Sequence, residues 1–177
     1  MTTNTNTTVT AERTDLLASL AKARHFLRFT TRDITEEQAR QRTTVSELTL
    51  GGLIKHVAAV ERNWQRFIVD GPSAAPDFTN LSDEDYATWK NGFRLGDDET
   101  LAGALAEYEE AAKKTDELVA TLPDLDASHE LPPAPWNPPG ERWTARRTLL
   151  HIATESAQHA GHADIIREAL DGQKSMG

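Results

Sequence analysis

A chain of 177 residues, 38% hydrophobic and 27% charged, has the composition of one globular domain with room for a real core. Its formal net charge of -9 comes without a basic stripe, which argues against nucleic acid as a partner. The chain has no cysteine, which excludes disulfides, thiolate metal sites and cysteine nucleophiles, and no segment approaches the roughly 18 apolar residues of a membrane span.

The opening stretch, residues 1–10, lacks an apolar run and is expected to be a disordered lead-in rather than a signal peptide. A soluble cytoplasmic protein is therefore expected. The first long helix is predicted from Ala11 to Phe29, with Leu16, Leu17, Leu20, Ala23, Phe26 and Leu27 on its inner side. The Thr-x-x-Gln pattern at Thr35 is a capping box and predicts a short helix. A second long helix is predicted from Thr49 to Ile68, ending at the breaker cluster DGPSAAP. A long irregular stretch follows, with a helical turn or two around SDEDYATWKNGF. The third long helix is DETLAGALAEYEEAAKKTDELVATL. The next segment, PDLDASHELPPAPWNPPGERW, is too rich in proline for a helix and leaves room for a short extended piece. Thr144 is placed to cap the last helix, and Asp171-Gly172 to end it.

Alanine, leucine, glutamate and arginine fill the periodic segments, which favours an all-α class. Four long helices with two long crossover connections predict a single four-helix bundle over residues 11–172, followed by a tail at 173–177. The alanine-rich surface near Ala104, Ala106 and Ala111 suggests a homodimer contact.

The second helix carries a histidine in an unusual place. On the helical cylinder, Leu53, Val60, Trp64 and Phe67 all fall within about 80° of His56, so this imidazole sits inside the apolar face. One turn earlier, Gly51 and Gly52 each cost helix propensity of about 1 kcal/mol relative to alanine. Such a pair fits a place where another backbone or a ligand comes close. A lone histidine on an apolar face is more often a hydrogen-bonded core residue than a ligand.

The last helix supplies company. His151, Glu155, His159 and His162 recur every three or four positions and share one stripe with Thr148, Ile152, Ile166 and Leu170, the side expected to face the core. Several imidazoles and a carboxylate resist leaving water without a counter-ion. A divalent metal resolves this, since imidazole nitrogen and carboxylate oxygen both ligate zinc, nickel or iron. His151 and His159 are eight positions apart, roughly 12 Å along the axis, and do not easily share one ion. The workable pairs are His151 with Glu155, Glu155 with His159, and His159 with His162, and periodicity leaves all three open. The alternative is a polar network at a partly solvated part of the bundle.

The segments LGGLIKHVAAVERNW and WTARRTLLHIATESAQHAGHADIIREALDG resemble the DinB/YfiT-like superfamily. The resemblance is closest to the metal-binding domain of mycothiol-dependent maleylpyruvate isomerase and to single-domain mycothiol S-transferase-like proteins. It implies a four-helix bundle holding a divalent metal, with one histidine from the second helix and two residues four apart on the last. Matched by motif, the ligands it implies are His56, Glu155 and His159. His151, His162, Trp64, Phe67 and Trp143 are then outer-shell or pocket residues, and Tyr86, Trp89 and Trp136 are further candidates for the pocket wall.

Two histidines and one carboxylate leave coordination positions open, as in a catalytic zinc site, where a bound water or thiol becomes acidic. The resemblance implies mycothiol as the thiol, a small electrophile as its partner and detoxification by S-transfer. The isomerase's second domain has no counterpart after Gly172 here, so S-transfer is expected rather than isomerisation. A metal-dependent hydrolase and a non-catalytic metal-binding stress-response protein are the alternatives.

Overall fold

The computed structural model describes residues 10–72 and 78–175. All of the expected lead-in at 1–10 except Thr10, residues 73–76 of the breaker cluster DGPSAAP and the last two tail residues lie outside them. Among the described residues six helices and two short strands follow one another as α1 (Ala11–Phe29), α2 (Glu36–Arg40), α3 (Leu50–Asp70), α4 (Asp83–Asn91), α5 (Leu101–Thr121), β1 (Ser128–Glu130), β2 (Arg142–Thr144) and α6 (Ala145–Asp171).

Each helix starts where a short hydroxyl side chain can accept from the backbone two or three residues on. Thr10, Thr35, Thr49, Ser82, Thr100 and Thr144 are the N-caps. Thr35 forms the full capping box, accepting from Gln38 N at 3.1 Å while its own N–H donates to Gln38 Oε1 at 2.9 Å. At the far end of α6, Gly172 takes the left-handed conformation at φ 78°, which closes the last turn.

α1 packs against α5 and α6, and α3 packs against the same two helices, so the four long helices form a closed ring. Two apolar clusters fill it. One gathers Leu27, Leu53, Ile54, Val57, Tyr108, Ala163 and Ile166; the other gathers Leu16, Leu20, Ile68, Val119, Leu149 and Ile152. Between them each long helix contributes a buried polar side chain: Arg24, Glu61, Thr115 and Ser156. The order of the clusters along each helix shows that α1 and α6 run one way and α3 and α5 the other. The connection from α3 to α5 therefore crosses the length of the bundle and carries α4. The connection from α5 to α6, expected to cross as well, does not: α5 ends and α6 begins at the same apolar cluster, and an antiparallel β1–β2 hairpin, in which His129 pairs with Trp143, joins these neighbouring ends. The extended piece anticipated in the proline-rich segment is β1 of this hairpin.

One surface expectation is corrected. Ala104 and Ala111 are buried in the bundle, 8% and 1% exposed, because they lie on the inner face of α5, and Ala106 alone of the three is exposed. They offer no alanine-rich contact surface.

Candidate functional site

His56 leaves the first half of α3, and Glu155 and His159 leave the facing side of α6. One ligand atom from each lies within 4.8 Å of the other two. His159 Nε2 is 3.5 Å from Glu155 Oε2, and the His56 and His159 rings meet edge to face with centroids 4.9 Å apart. Tetrahedral ligands at zinc-type bond lengths sit about 3.3 Å from one another, so a small side-chain adjustment brings three such atoms onto one ion. Among the described residues this is the only group of three or more histidines and acids so placed.

The two glycines before His56 are explained by the crossing connection. A methyl group at Gly52 would overlap the Phe93 carbonyl, and one at Gly51 would overlap the Leu95 side chain. Backbone approaches here, not a ligand. Lys55 Nζ donates to Arg94 O at 3.1 Å and Arg40 Nη1 to Leu95 O at 3.0 Å, which pins the segment. Phe93 is thereby stacked on the His56 ring at 3.9 Å, with the planes 20° apart. Sequence periodicity missed Phe93 because it lies outside any helix; the Gly-Gly pair was its signal.

The stripe on α6 lies on the edge of the core rather than within it. Glu155 and His151 side chains are 26% and 28% exposed, and His159 is 12% exposed. Glu155 stands between two imidazoles, with His151 Nε2 3.5 Å from Oε1. The His151 ring is held edge-on by Trp64 and Trp143, each at 4.9 Å, and these two indoles stack on one another at 5.1 Å. Trp143 Nε1 donates to Glu141 Oε1 at 2.9 Å, and Arg147 lies over its ring at 4.5 Å. His162 approaches from the other side, its Nδ1 3.3 Å from His159 Nδ1. The predicted pocket rings therefore divide. Trp64 and Trp143 converge on the site. Phe67 is buried beneath Trp64 as core and also meets His129. Trp89 touches Phe93 and Tyr86 touches Trp89, whereas Trp136 pairs with Phe78.

Burial depresses the His56 imidazole from its ordinary value near 6.5 to about 4, and the nearby His159 adds to the effect against the pull of Glu155. Burial likewise lowers His151. The approach of His159 holds the Glu155 carboxyl below its usual range, opposed by partial desolvation. Near neutral pH the site therefore presents unprotonated His56 and ionised Glu155, the states that metal coordination requires.

The model of the family described as Mycothiol-S-transferase matches residues 15–172. The chain belongs to that family. The match includes every residue of the His56, Glu155 and His159 cluster and the Trp64–Trp143 wall beside it. Among solved structures, YfiT from Bacillus subtilis, described as a probable metal-dependent hydrolase with an unusual four-helix bundle topology, shares the fold. It superposes with a TM-score of 0.63 at 16% identity, covering 91% of this chain and 89% of YfiT. No protein in the curated comparison matches in sequence. Among the described residues no helix is long and apolar enough to cross a membrane. A mycothiol S-transferase family member on a YfiT-like bundle, with a partly exposed His-Glu-His cluster, is suited to hold a divalent ion.

Proposed function

We propose that the unit formed by residues 11–172 is a divalent-metal-dependent transferase that joins a low-molecular-weight thiol, mycothiol for this family, to a small electrophile in a cytoplasmic detoxification reaction. The observation that carries this reading is the convergence of His56, Glu155 and His159 on one partly exposed point, with no lysine or arginine paired to Glu155 among the described residues. A closed structural pair would have a cationic partner; this set asks for a cation. Two nitrogens and one carboxylate oxygen suit zinc, with nickel or iron also compatible. When bound, such an ion makes a thiol that it ligates acidic enough to lose its proton near neutral pH.

The chain's own residues supply the rest. His56 and His159 offer neutral nitrogens, and Glu155 supplies the single anionic oxygen. Phe93, fixed by Gly52 and Lys55, sets the plane of the His56 ring. His151 and His162 stand outside the three ligands as positioning residues, and Trp64 with Trp143 forms one wall for the reactants. Because the chain has no cysteine, the sulfur arrives with the cosubstrate. Its S–C bond forms as the electrophile's leaving group departs with the bonding pair, and the thiol proton passes to solvent.

The YfiT description brings in a second reading, metal-dependent hydrolysis, in which water takes the thiol's place at the same residues. Metal analysis of the purified protein followed by one assay separates the two. We expect one divalent ion per chain, and conjugation of mycothiol to a halogenated electrophile that stops on chelation and returns with Zn2+. Hydrolysis without conjugation would favour the second reading, and a protein that binds no divalent ion would overturn both.

A further inference from the structure

We propose that His162 is a positioning residue that selects the tautomer of His159. This rests on the metal-site reading above and deepens it. A neutral imidazole has one N–H and one bare nitrogen, and a ligating histidine needs the bare nitrogen at the ion. His159 directs Nε2 at Glu155 and the cluster, 3.5 Å from Oε2. Its other nitrogen, Nδ1, faces His162 Nδ1 at 3.3 Å, a hydrogen-bond distance between two atoms that can each be donor or acceptor. One of the two must carry the hydrogen. If His159 Nδ1 carries it, His159 donates to a bare His162 Nδ1, and its Nε2 lone pair is free for an ion. If His162 Nδ1 carries it, His159 holds its hydrogen on Nε2, against the Glu155 carboxylate.

The same Nδ1···Nδ1 contact therefore serves both states of the site. Without an ion the Nε2–H of His159 can face the anionic Glu155. With an ion present the hydrogen sits on His159 Nδ1, and His162 carries its own on Nε2. Between the two states the bridging proton passes from His162 Nδ1 to His159 Nδ1, the His159 Nε2 proton is lost to solvent to leave that nitrogen bare, and His162 Nε2 takes one proton from solvent. No side chain moves, the contact reverses its direction, and the proton lost and the proton gained cancel. The three-residue spacing of His159 and His162 on α6 is what places them edge to face, with centroids 5.4 Å apart. Histidine is unusual as the outer partner of a ligating imidazole, where carboxylates and backbone carbonyls normally serve, because those can only accept.

The test is nitrogen NMR of the protein labelled with 15N-histidine, titrated with Zn2+ alone, beside Zn2+ affinity of two variants. In the zinc-loaded protein we expect His159 Nδ1 to be the protonated nitrogen and His162 Nδ1 the bare one. His162→Phe removes the acceptor and should weaken Zn2+ binding about 10–100-fold. His162→Gln keeps an amide oxygen in reach and should restore most of the affinity. A bare His159 Nδ1 in the zinc-loaded protein, or a His162→Phe variant with unaltered affinity, would overturn the inference alone. Unaltered protein that takes up no Zn2+ would overturn the site reading and this inference together.

Discussion

Two polar clusters sit inside this bundle, and they have opposite electrostatic designs. In the mid-bundle layer, Arg24 of α1 is hydrogen-bonded to Glu61 of α3 and, at 2.8 Å, to Asp116 of α5. Thr115 Oγ1 donates to the same Glu61 oxygen at 2.5 Å, and Gln65 Nε2 donates to Thr115 Oγ1 and to Ala111 O. Glu61 is wholly buried and Arg24 nearly so. Positive and negative charge meet there, and the Arg24–Glu61 pair is all but out of contact with solvent. A turn and a half away on α3, His56 joins Glu155 and His159 in a cluster with donors to an ion, partial exposure and, among the described residues, no lysine or arginine paired to its carboxylate. The contrast shows that buried polarity does not by itself mark a site. What distinguishes the two is whether the charge is already balanced by the chain.

The largest expected effect breaks the closed cluster. Arg24→Met leaves Glu61 and its unpartnered Oε2 buried without a counter-charge, and should cost about 3–5 kcal/mol in chemical denaturation. Adding Glu61→Leu should return much of that loss, since a matched apolar pair replaces a matched ionic one. Neither change should alter metal content. If Arg24→Met removed the ion, the two clusters would be one system and the comparison would fail.

The next effect breaks the open cluster. Glu155→Gln keeps the shape but removes the only anionic ligand, so metal affinity should fall on the order of 100-fold while thermal unfolding of the metal-free protein changes little. His151→Gln and His162→Gln should each keep the metal. Retention of full metal in Glu155→Gln, with loss in His162→Gln, would move the site one pair along the stripe, to His159 and His162.

Gly52→Ala tests the support beneath the site. The added methyl overlaps the Phe93 carbonyl, so the crossing segment must shift, at about 1–3 kcal/mol, and Phe93 should loosen from His56. Weaker metal retention at unchanged ligand identity is the expected readout, measured by competition with a chelator. Stability and retention both equal to those of the unaltered protein would show that the segment holds nothing in place.

The smallest effect distinguishes the clusters by pH. His56 in the metal-free protein titrates near 4, below its ordinary value near 6.5, because burial disfavours the charged ring. Between those values the unfolded chain takes up a proton that the folded chain refuses, so stability is full above about 6.5 and declines as pH falls toward 4. Melting temperatures of the chelated protein should show this slope, and His56→Leu should flatten it. An unchanged slope in His56→Leu would assign the acid sensitivity elsewhere.

Much of this protein was legible in one dimension. The hydroxyl caps fixed the helix starts at Thr35 and Thr144, and Gly172 fixed the end of α6, because capping depends on neighbours within a few residues. The placement of His56 among Leu53 and Trp64 followed from helical periodicity, as did the shared stripe of Glu155 and His159. Periodicity alone left three ligand pairs open on that stripe, and the family resemblance singled out Glu155 with His159. Where the chain folds back was not legible. Nothing in the sequence couples Arg24 to Glu61, 37 positions apart, and only the packing of α1 on its neighbours pairs them. Phe93 belongs to no periodic pattern and reaches His56 through the crossing between α3 and α5. Ala104 and Ala111 read as surface until α5 turned them inward. Local hydrogen bonding and side-chain period are written into adjacent residues, so the sequence determined the elements and the face that bears each candidate ligand. Charge pairing and ring stacking join residues far apart in the chain, so the tertiary structure alone decided which polar cluster is closed and which stands open to an ion.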